Sequence, residues 1–160
     1  MADPTKERAL LSAMARYQDN LFRLAFSMVR SRMDAEDVLQ EVFLKYYQRI
    51  APFSSEEHEK AWLIRVTVNA CISLLRNPWR RFAPLLERLA APKPEEQHAT
   101  ELVQALPPRY AAVIHLYYYE ELSVRQISQV LHMPEGTVQS RLARGRKRLE
   151  ALLLEERSRE

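Results

Sequence analysis

The chain has 160 residues, of which 47% are hydrophobic, 28% are charged and two are glycine, and its formal net charge is +3. This length suits one ordinary domain or two small ones, and the abundance of Leu, Ala, Arg and Glu favours an all-α fold. A single cysteine, Cys71, excludes an internal disulfide framework and a cysteine-based zinc site, and its apolar surroundings indicate a buried, inert thiol.

The sequence also lacks the signals of membrane proteins and enzymes. No apolar run is long enough to span a bilayer, and the N-terminal MADPTKERALL is unlike a signal peptide, so we expect a cytoplasmic protein. There is no glycine-rich phosphate loop and no nucleophile motif, and His58 and His132 are isolated. We therefore predict no catalytic activity, no cofactor and no small-molecule substrate.

The first predicted element is one or two helices over residues 6–29. Apolar residues there recur at helical spacing and indicate plain core packing. They are Leu10, Leu11, Met14, Tyr17, Leu21, Leu24, Ala25 and Met28.

The second predicted helix covers residues 35–50, AEDVLQEVFLKYYQRI, with Asp34 as its N-cap. Its inner side is apolar, and its outer side is acidic near the start of the helix. Clustered carboxylates can hold a metal, but no histidine lies on this helix, so a solvated face is the simpler interpretation and no metal site is predicted. The predicted inner side comprises Val38, Val42, Phe43 and Tyr46.

A loop over residues 51–55 leads into a third predicted helix, which begins at the acidic run 56–59 and continues to about Arg76. Asn77-Pro78 stops this helix. The Trp79-Arg80-Arg81 segment that follows suits either a nucleic-acid backbone contact or an ordinary loop. The predicted buried face of the helix comprises Trp62, Leu63, Val66, Ala70 and Leu74.

Residues 83–100 hold three prolines and little periodicity, which predicts a short flexible linker between two small helical domains, 1–82 and 101–160. A helix is predicted to begin at 101–106, and another covers 109–120. The second of these has Ala112, Val113, Leu116, Tyr117 and Tyr119 as candidate inward positions, and at least one residue of the Tyr117–Tyr119 run must be exposed. Residues 151–160 are predicted to be a fraying tail.

The segment 123–149, SVRQISQVLHMPEGTVQSRLARGRKRL, predicts two helices joined by a tight turn. Ser123 and Gln126 have the spacing of a capping box. His132-Met133 breaks the helical pattern, and Pro134 with Glu135 suits the first turn of the next helix. One stripe of that helix is predicted to be buried, and it comprises Val138, Leu142, Gly145 and Leu149.

The opposite face of the same helix is polar and basic. Five cations and no acid lie between residues 136 and 149. A solvated basic helix is the plainer interpretation, but the capping, turn, stripe and charge together favour a helix that enters the DNA major groove. The exposed face comprises Gln139, Ser140, Ala143, Arg144 and Lys147.

This segment resembles region 4 of the ECF (extracytoplasmic function) sigma factors, most closely at the PEGTV run 134–138. Two residues depart from the family pattern: Ser128 replaces a usual alanine, and His132 replaces a frequent glycine. The resemblance implies that this half reads the −35 promoter element. The residues it assigns to that element are Thr137, Gln139, Ser140, Arg141, Ala143, Arg144, Arg146 and Lys147.

The string DAEDVLQEVFLKYY at 34–47 resembles region 2 of the same family. That region docks on the clamp helices of the largest RNA polymerase subunit. A rigid helix with a polar rim and a few apolar anchors suits such a contact. The polymerase-binding residues implied are Asp37, Gln40 and Glu41, with Leu39 or Leu44 adding apolar contact.

The string AWLIRVTVN at 61–69 resembles the family segment that, with the preceding loop, handles the −10 element. There the duplex opens and a base is extruded into a pocket, at a cost of a few kcal/mol that protein contacts must offset. Ser73 stands where the family often has aspartate. Residues 53–57 are the implied pocket loop, and the implied −10 residues are Phe53, Ser54, Ser55, Arg65, Asn69, Arg76, Arg80 and Arg81.

Both segments together predict an alternative sigma factor that is not itself an enzyme. The resemblance implies core RNA polymerase (clamp helices and flap region), promoter DNA and an anti-sigma factor, often membrane-anchored, as partners. The competing hypothesis is a stand-alone helix-turn-helix regulator whose N-terminal half senses a ligand or dimerises. Such a regulator would bind duplex DNA tightly without polymerase.

Overall fold

The computed structural model describes residues 3–77 and 102–159, and all regular structure in these two ranges is helical. The all-α prediction is confirmed. The linker predicted at 83–100 lies outside the described residues. The helices are α1 (Pro4–Val29), α2 (Arg32–Gln48), α3 (Glu56–Leu75), α4 (Pro108–Ile114), a π-helical turn (His115–Tyr119), α5 (Val124–Leu131) and α6 (Glu135–Arg159).

Helices α1, α2 and α3 pack pairwise into the first helical unit. Its core contains Leu24, Val42 and Leu63, one fully buried side chain from each helix. Cys71 is also fully buried, as predicted. Leu11 was expected in the apolar stripe of α1 but is 64% exposed, because it lies beside the stripe rather than on it.

Serine hydroxyls cap the N-termini of two of these helices. Ser55 accepts from the His58 amide at 3.0 Å and caps α3. The prediction of Asp34 as the N-cap of α2 is wrong, since Ser31 accepts from the Asp34 amide at 3.1 Å and the helix begins at Arg32. The Ser31 hydroxyl satisfies an otherwise free backbone amide in the first turn of α2. The Asp34 carboxylate lies within that turn, where it interacts favourably with the positive end of the helix dipole.

Helices α4, α5 and α6 form the second unit, in which α6 packs on both of the others. The predicted buried stripe of α6 is confirmed: Val138, Leu142 and Gly145 are buried, and Leu149 is half-buried. A regular helix was predicted over 109–120, but the backbone widens into a π-helical turn from His115.

The predicted fraying tail is helical, because α6 continues without a break to Arg159. Its last residues are mostly Leu, Glu and Arg, which are strong helix formers. The predicted groove-reading helix and the tail therefore form one helix of 25 residues, roughly 37 Å long at 1.5 Å per residue.

The two units also touch each other. Helix α1 packs against α4, and α3 packs against α5. No helix within the described residues is long and apolar enough to cross a membrane.

The two glycines of α6 have opposite surroundings, which allows a matched test of packing. A Cβ on Gly145 would lie 2.9 Å from Cγ1 of buried Ile114, whereas a Cβ on Gly136 would meet nothing within 4 Å. We expect Gly136→Ala to stabilise the fold by up to about 1 kcal/mol through helix propensity. Gly145→Ala should destabilise it by about 1 kcal/mol net, because overpacking outweighs that gain. Urea unfolding measures both, and equal stabilisation by the two variants would contradict the packing.

His115 is a buried imidazole at the contact between the two units. Its ring stacks on Tyr119 with 4.8 Å between centroids. Among the described residues, nothing forms a hydrogen bond with its Nε2. Burial, helped by the positive charge of Arg23, lowers the pKa of His115 to about 4, so the folded chain holds the neutral ring.

This lowered pKa predicts acid sensitivity. The unfolded chain binds a proton at His115 near pH 6.5, and the folded chain does so near pH 4. The free energy of unfolding should therefore fall as the pH drops from about 6.5 to about 4, with no contribution from His115 above pH 7. In His115→Phe, chemical denaturation across this range should show a shallower acid decline. An unchanged decline would assign the acid sensitivity to other groups.

Candidate polymerase and nucleic-acid interfaces

The capping box predicted at the start of α5 is present in full. The Ser123 hydroxyl accepts from the Gln126 amide at 3.1 Å, and the Ser123 amide donates to Gln126 Oε1 at 2.9 Å. Two otherwise free amides are thereby satisfied, and the direction in which α5 enters the motif is fixed.

The turn between α5 and α6 is closed by the two residues that depart from the family pattern. His132 adopts the left-handed conformation (φ 53°, ψ 48°), which histidine tolerates better than most residues with a side chain. Ser128 Oγ donates to the Met133 carbonyl at 2.6 Å, and the Met133 amide donates to the Ser128 carbonyl at 3.1 Å. These two hydrogen bonds of Ser128 therefore stabilise the turn, a role that its position in the sequence did not indicate.

The predicted groove-reading face of α6 points away from the core. Its five residues are all exposed: Gln139, Ser140, Ala143, Arg144 and Lys147. Thr137 and Arg141 flank this face and are half-buried. An amide, a hydroxyl, a methyl and two cations are thus available from a helix whose other side is anchored.

A groove of about 400 Å³ lies at the start of this face. The contacts of Tyr110 show the basic character of this groove. Arg109 Nη2 donates to Tyr110 Oη at 3.3 Å, and the hydrogen bonds from Arg109 and then Arg144 lower the pKa of the phenol although burial raises it. Sequence reasoning missed Arg109, although its place in the first turn of α4 after two prolines was a usable signal. The groove is lined by Arg109, Tyr110, Gly136, Thr137, Ser140, Arg141 and Arg144.

Arg146 is exposed but is held by tyrosines from the π-helical turn. Its Nε donates to Tyr118 Oη at 2.5 Å, and its guanidinium lies 5.3 Å from the centre of the Tyr117 ring. Tyr118 and Tyr119 are 55% and 47% exposed, so Tyr119, a candidate inward position, is not buried, and the expected exposure within the tyrosine run is confirmed. Arg146 therefore lies at the edge of the face, in a fixed orientation.

The acidic face of α2 is exposed at the three polar positions predicted to bind polymerase, Asp37, Gln40 and Glu41. Of the two leucines considered, Leu44 is 56% exposed and Leu39 is 6% exposed. Leu39 is part of the chain's own core, so Leu44 is the one available for apolar contact with a partner.

A depression of about 240 Å³ separates this face from α3. The depression therefore lies between the predicted polymerase-binding helix and the helix predicted to handle the −10 element. No group of acidic, histidine or cysteine side chains within 3–77 and 102–159 is arranged to hold a metal ion. The depression is lined by Asp37, Glu41, Ala70, Ser73, Leu74 and Asn77.

The predicted pocket loop is folded onto an aromatic cluster. The Phe53 ring lies 5.7 Å from Tyr46 and 5.6 Å from Trp62. The Arg49 guanidinium lies 4.3 Å above Phe53 and 5.3 Å from Trp62, a cation–π arrangement that the sequence did not reveal. A planar cation therefore covers the ring that was predicted to meet an extruded base.

The two serines of this loop organise the start of α3. Ser55 is its N-cap, and the Ser54 amide donates to Nδ1 of His58 at 3.1 Å. Both serines remain exposed. The Ser54 hydroxyl also lies 3.2 Å from His58 Nδ1, so both hydroxyls support the loop in addition to any contact with DNA.

Three predicted −10 residues, on α3 or at its C-cap, have different surroundings. Asn69 and Arg76 are exposed. Arg65 is half-buried and contacts the helix-turn-helix unit. Arg80 and Arg81 lie outside the described residues.

Both halves of the chain match family models of the same class. Residues 13–81 match sigma-70 region 2, and residues 98–149 match sigma-70 region 4. The first match covers α2, the aromatic loop and α3, and the second covers the helix-turn-helix.

Curated relatives agree with these models over most of the chain. The ECF RNA polymerase sigma factor SigW of Bacillus subtilis is 28% identical over 83% of this chain and 82% of its own length. The ECF RNA polymerase sigma factor SigM of Mycobacterium tuberculosis is 31% identical over 86% of this chain and 74% of its own length. A chain with these two units is a promoter-specificity subunit of RNA polymerase. It belongs to the ECF sigma factors.

Solved structures show the same fold. The sigma factor RpoE of Bartonella quintana, solved with the anti-sigma factor NepR, gives a TM-score of 0.69 at 20% identity and covers 91% of this chain and 97% of its own. CnrH, solved with the cytosolic domain of CnrY, gives a TM-score of 0.66 at 25% identity and covers 92% of this chain and 88% of its own. The family models and the curated relatives show that the chain is an alternative sigma factor, a regulatory subunit that directs promoter-specific transcription with core RNA polymerase.

Proposed function

We propose that this sigma factor reads the −35 element with the exposed face of α6. The observation that supports this most directly is the two-sided character of the helix: Val138 and Leu142 are buried on one side, while Gln139, Arg144 and Lys147 are exposed on the other. A helix anchored in this way can lie in the major groove with its amide and guanidinium groups at base edges.

Within this face, the residues divide by chemistry. Gln139, Ser140 and Ala143, with Arg144, offer the short polar and apolar groups that distinguish base pairs. Arg141, Arg146 and Lys147 offer charge to phosphates, which adds affinity without sequence choice. Arg109 joins them because it lines the same groove.

Core polymerase binding is assigned to the acidic face of α2. Asp37, Gln40 and Glu41 form an exposed polar row, and Leu44 adds an exposed apolar side chain beside it. This arrangement suits the clamp helices as partner, because a rigid helix presents both the charges and the anchor in one plane.

The −10 element is assigned to the aromatic loop and to α3. Phe53 and Trp62 provide ring faces on which an extruded base can stack once Arg49 moves aside. Asn69 on α3 and Arg76 at its C-cap are exposed and can meet the separated strand.

The fold match with RpoE in its NepR complex supports a protein inhibitor of the same kind for this chain. An anti-sigma factor is therefore included among its partners, together with core polymerase and promoter DNA. A protein that works with polymerase acts in the cytoplasm, which completes the assignment.

Polymerase binding through α2 is tested by reversing one charge. We expect Asp37→Lys to weaken binding to core polymerase at least several-fold, because a lysine would replace a carboxylate in the docking row. Fluorescence anisotropy of labelled chain measures this. The matched control is Glu155→Lys, which makes the same charge change on the exposed tail of α6 and should bind normally. Equal binding by both variants would remove α2 from the interface.

Promoter choice through α6 is tested with core polymerase present. Sequencing the transcripts that the complex starts identifies its promoters. On those promoters, Arg144→Ala should lose about 1–3 kcal/mol of binding if the guanidinium grips a base. The loss should shrink when the contacted base pair is changed. An equal loss on every sequence would show that Arg144 holds phosphate.

A further inference from the structure

A cation covers the aromatic cluster that is assigned to the extruded base of the −10 element. The central carbon of the Arg49 guanidinium lies 4.3 Å from the centre of the Phe53 ring and 5.3 Å from the centre of the Trp62 ring. A guanidinium stacks on an aromatic ring much as a nucleobase does, because both groups are flat. Arg49 therefore occupies a surface that the extruded base would need.

Arg49 is held in this position by contacts that are easily exchanged. It is the half-buried C-cap residue of α2, and its Nε donates to the Ala51 carbonyl at 2.9 Å. None of the ion pairs within the described residues includes Arg49. The guanidinium can therefore leave the rings without breaking an ion pair there.

The rings beneath Arg49 are held more firmly. Tyr46 is only 9% exposed, stacks on Phe53 with 5.7 Å between centroids, and donates from its hydroxyl to Glu59 Oε2 at 2.9 Å. Glu59 is 8% exposed and pairs with Arg16 of α1 at 3.0 Å. A base that approaches this cluster therefore displaces the cation and leaves the rings in place.

We propose that Arg49 competes with the extruded base for the ring faces of Phe53 and Trp62, and so sets the threshold for base extrusion at the −10 element. The inference rests on the proposed −10 function of the aromatic loop. In the free chain the guanidinium is stacked on the rings. On a promoter the base takes its place, since stacking of a base is the stronger contact, and the lost cation–π contact reduces the net gain from stacking.

The test compares DNA strands with and without a base at the pocket position. Promoters identified by transcript sequencing supply the non-template −10 strand as a labelled single-stranded oligonucleotide. An abasic nucleotide replaces each position in turn, and fluorescence anisotropy gives the affinity of the complex of this chain with core polymerase for every strand. The pocket position is the one at which removal of the base weakens binding by the parent chain but not by Phe53→Ala.

Arg49→Lys keeps the charge but lacks the planar group that stacks on the rings. This variant should bind the intact strand about two- to fivefold more tightly, which is the size of an exposed cation–π contact. Its affinity for the strand that is abasic at the pocket position should be unchanged, because no base then competes. The salt dependence of binding should also be unchanged, because the number of cations is the same.

Two further variants separate this competition from a structural role of Arg49. Arg49→Gln removes the charge and should weaken binding to both strands, but the ratio of intact-strand to abasic-strand affinity should rise by the same factor as in Arg49→Lys. Arg32→Gln removes an exposed cation from the start of the same helix and should leave this ratio unchanged. A variant that only loosened the loop would lower the ratio, because the pocket would hold the base less well.

The outcomes keep this inference apart from the assigned function. If one position shows a base contribution that depends on Phe53, but the affinity ratio there does not rise in both Arg49 variants, Arg49 does not compete with the base. The inference is then refuted, while the −10 assignment of the loop stands. If no position shows such a contribution, the assignment of the aromatic loop to the −10 element is wrong, and the inference is refuted with it.

Discussion

The structure depends on one constraint, the anchoring of α6 along a single stripe. Val138 and Leu142 fill the core of the second unit, and Gly145 lets Ile114 approach so closely that an added Cβ would lie 2.9 Å from it. Because side chains repeat every 3.6 residues, fixing this stripe fixes the direction of the opposite face. The exposure of Gln139 and Arg144 is therefore a consequence of packing, and the basic groove beside α4 follows from the same orientation.

The helices of the first unit likewise have one buried side and one exposed side. On α2, Leu39 enters the core and Leu44 is exposed beside the acidic row, although the two leucines are equally apolar and only five residues apart. On α3, Leu63 and Cys71 are buried, while Asn69 and the C-cap residue Arg76 are exposed. Burial of one side holds these helices rigid, which is what the proposed contacts with polymerase and DNA require.

Features set by local spacing were predictable from the sequence, and features set by distant contacts were not. The capping box at Ser123, the buried stripe and the exposed face of α6 follow from offsets of three and four residues. The N-cap of α2 was misplaced because Ser31 and Asp34 are both good caps and geometry decides between them. Arg65 and His132 are 67 positions apart in the sequence, so no local periodic pattern could predict their contact.

The polar contacts between the halves are individually weak. A hydrogen bond contributes about 0.5–1.5 kcal/mol net, and a partly exposed ion pair such as Lys60–Glu120 contributes about 0–1 kcal/mol. Their sum is therefore on the order of a few kcal/mol. Helix α1 also packs against α4, and α3 packs against α5, so burial of apolar surface adds to this sum. The contact between the halves therefore combines helix packing with polar contacts such as that of Arg65 with His132.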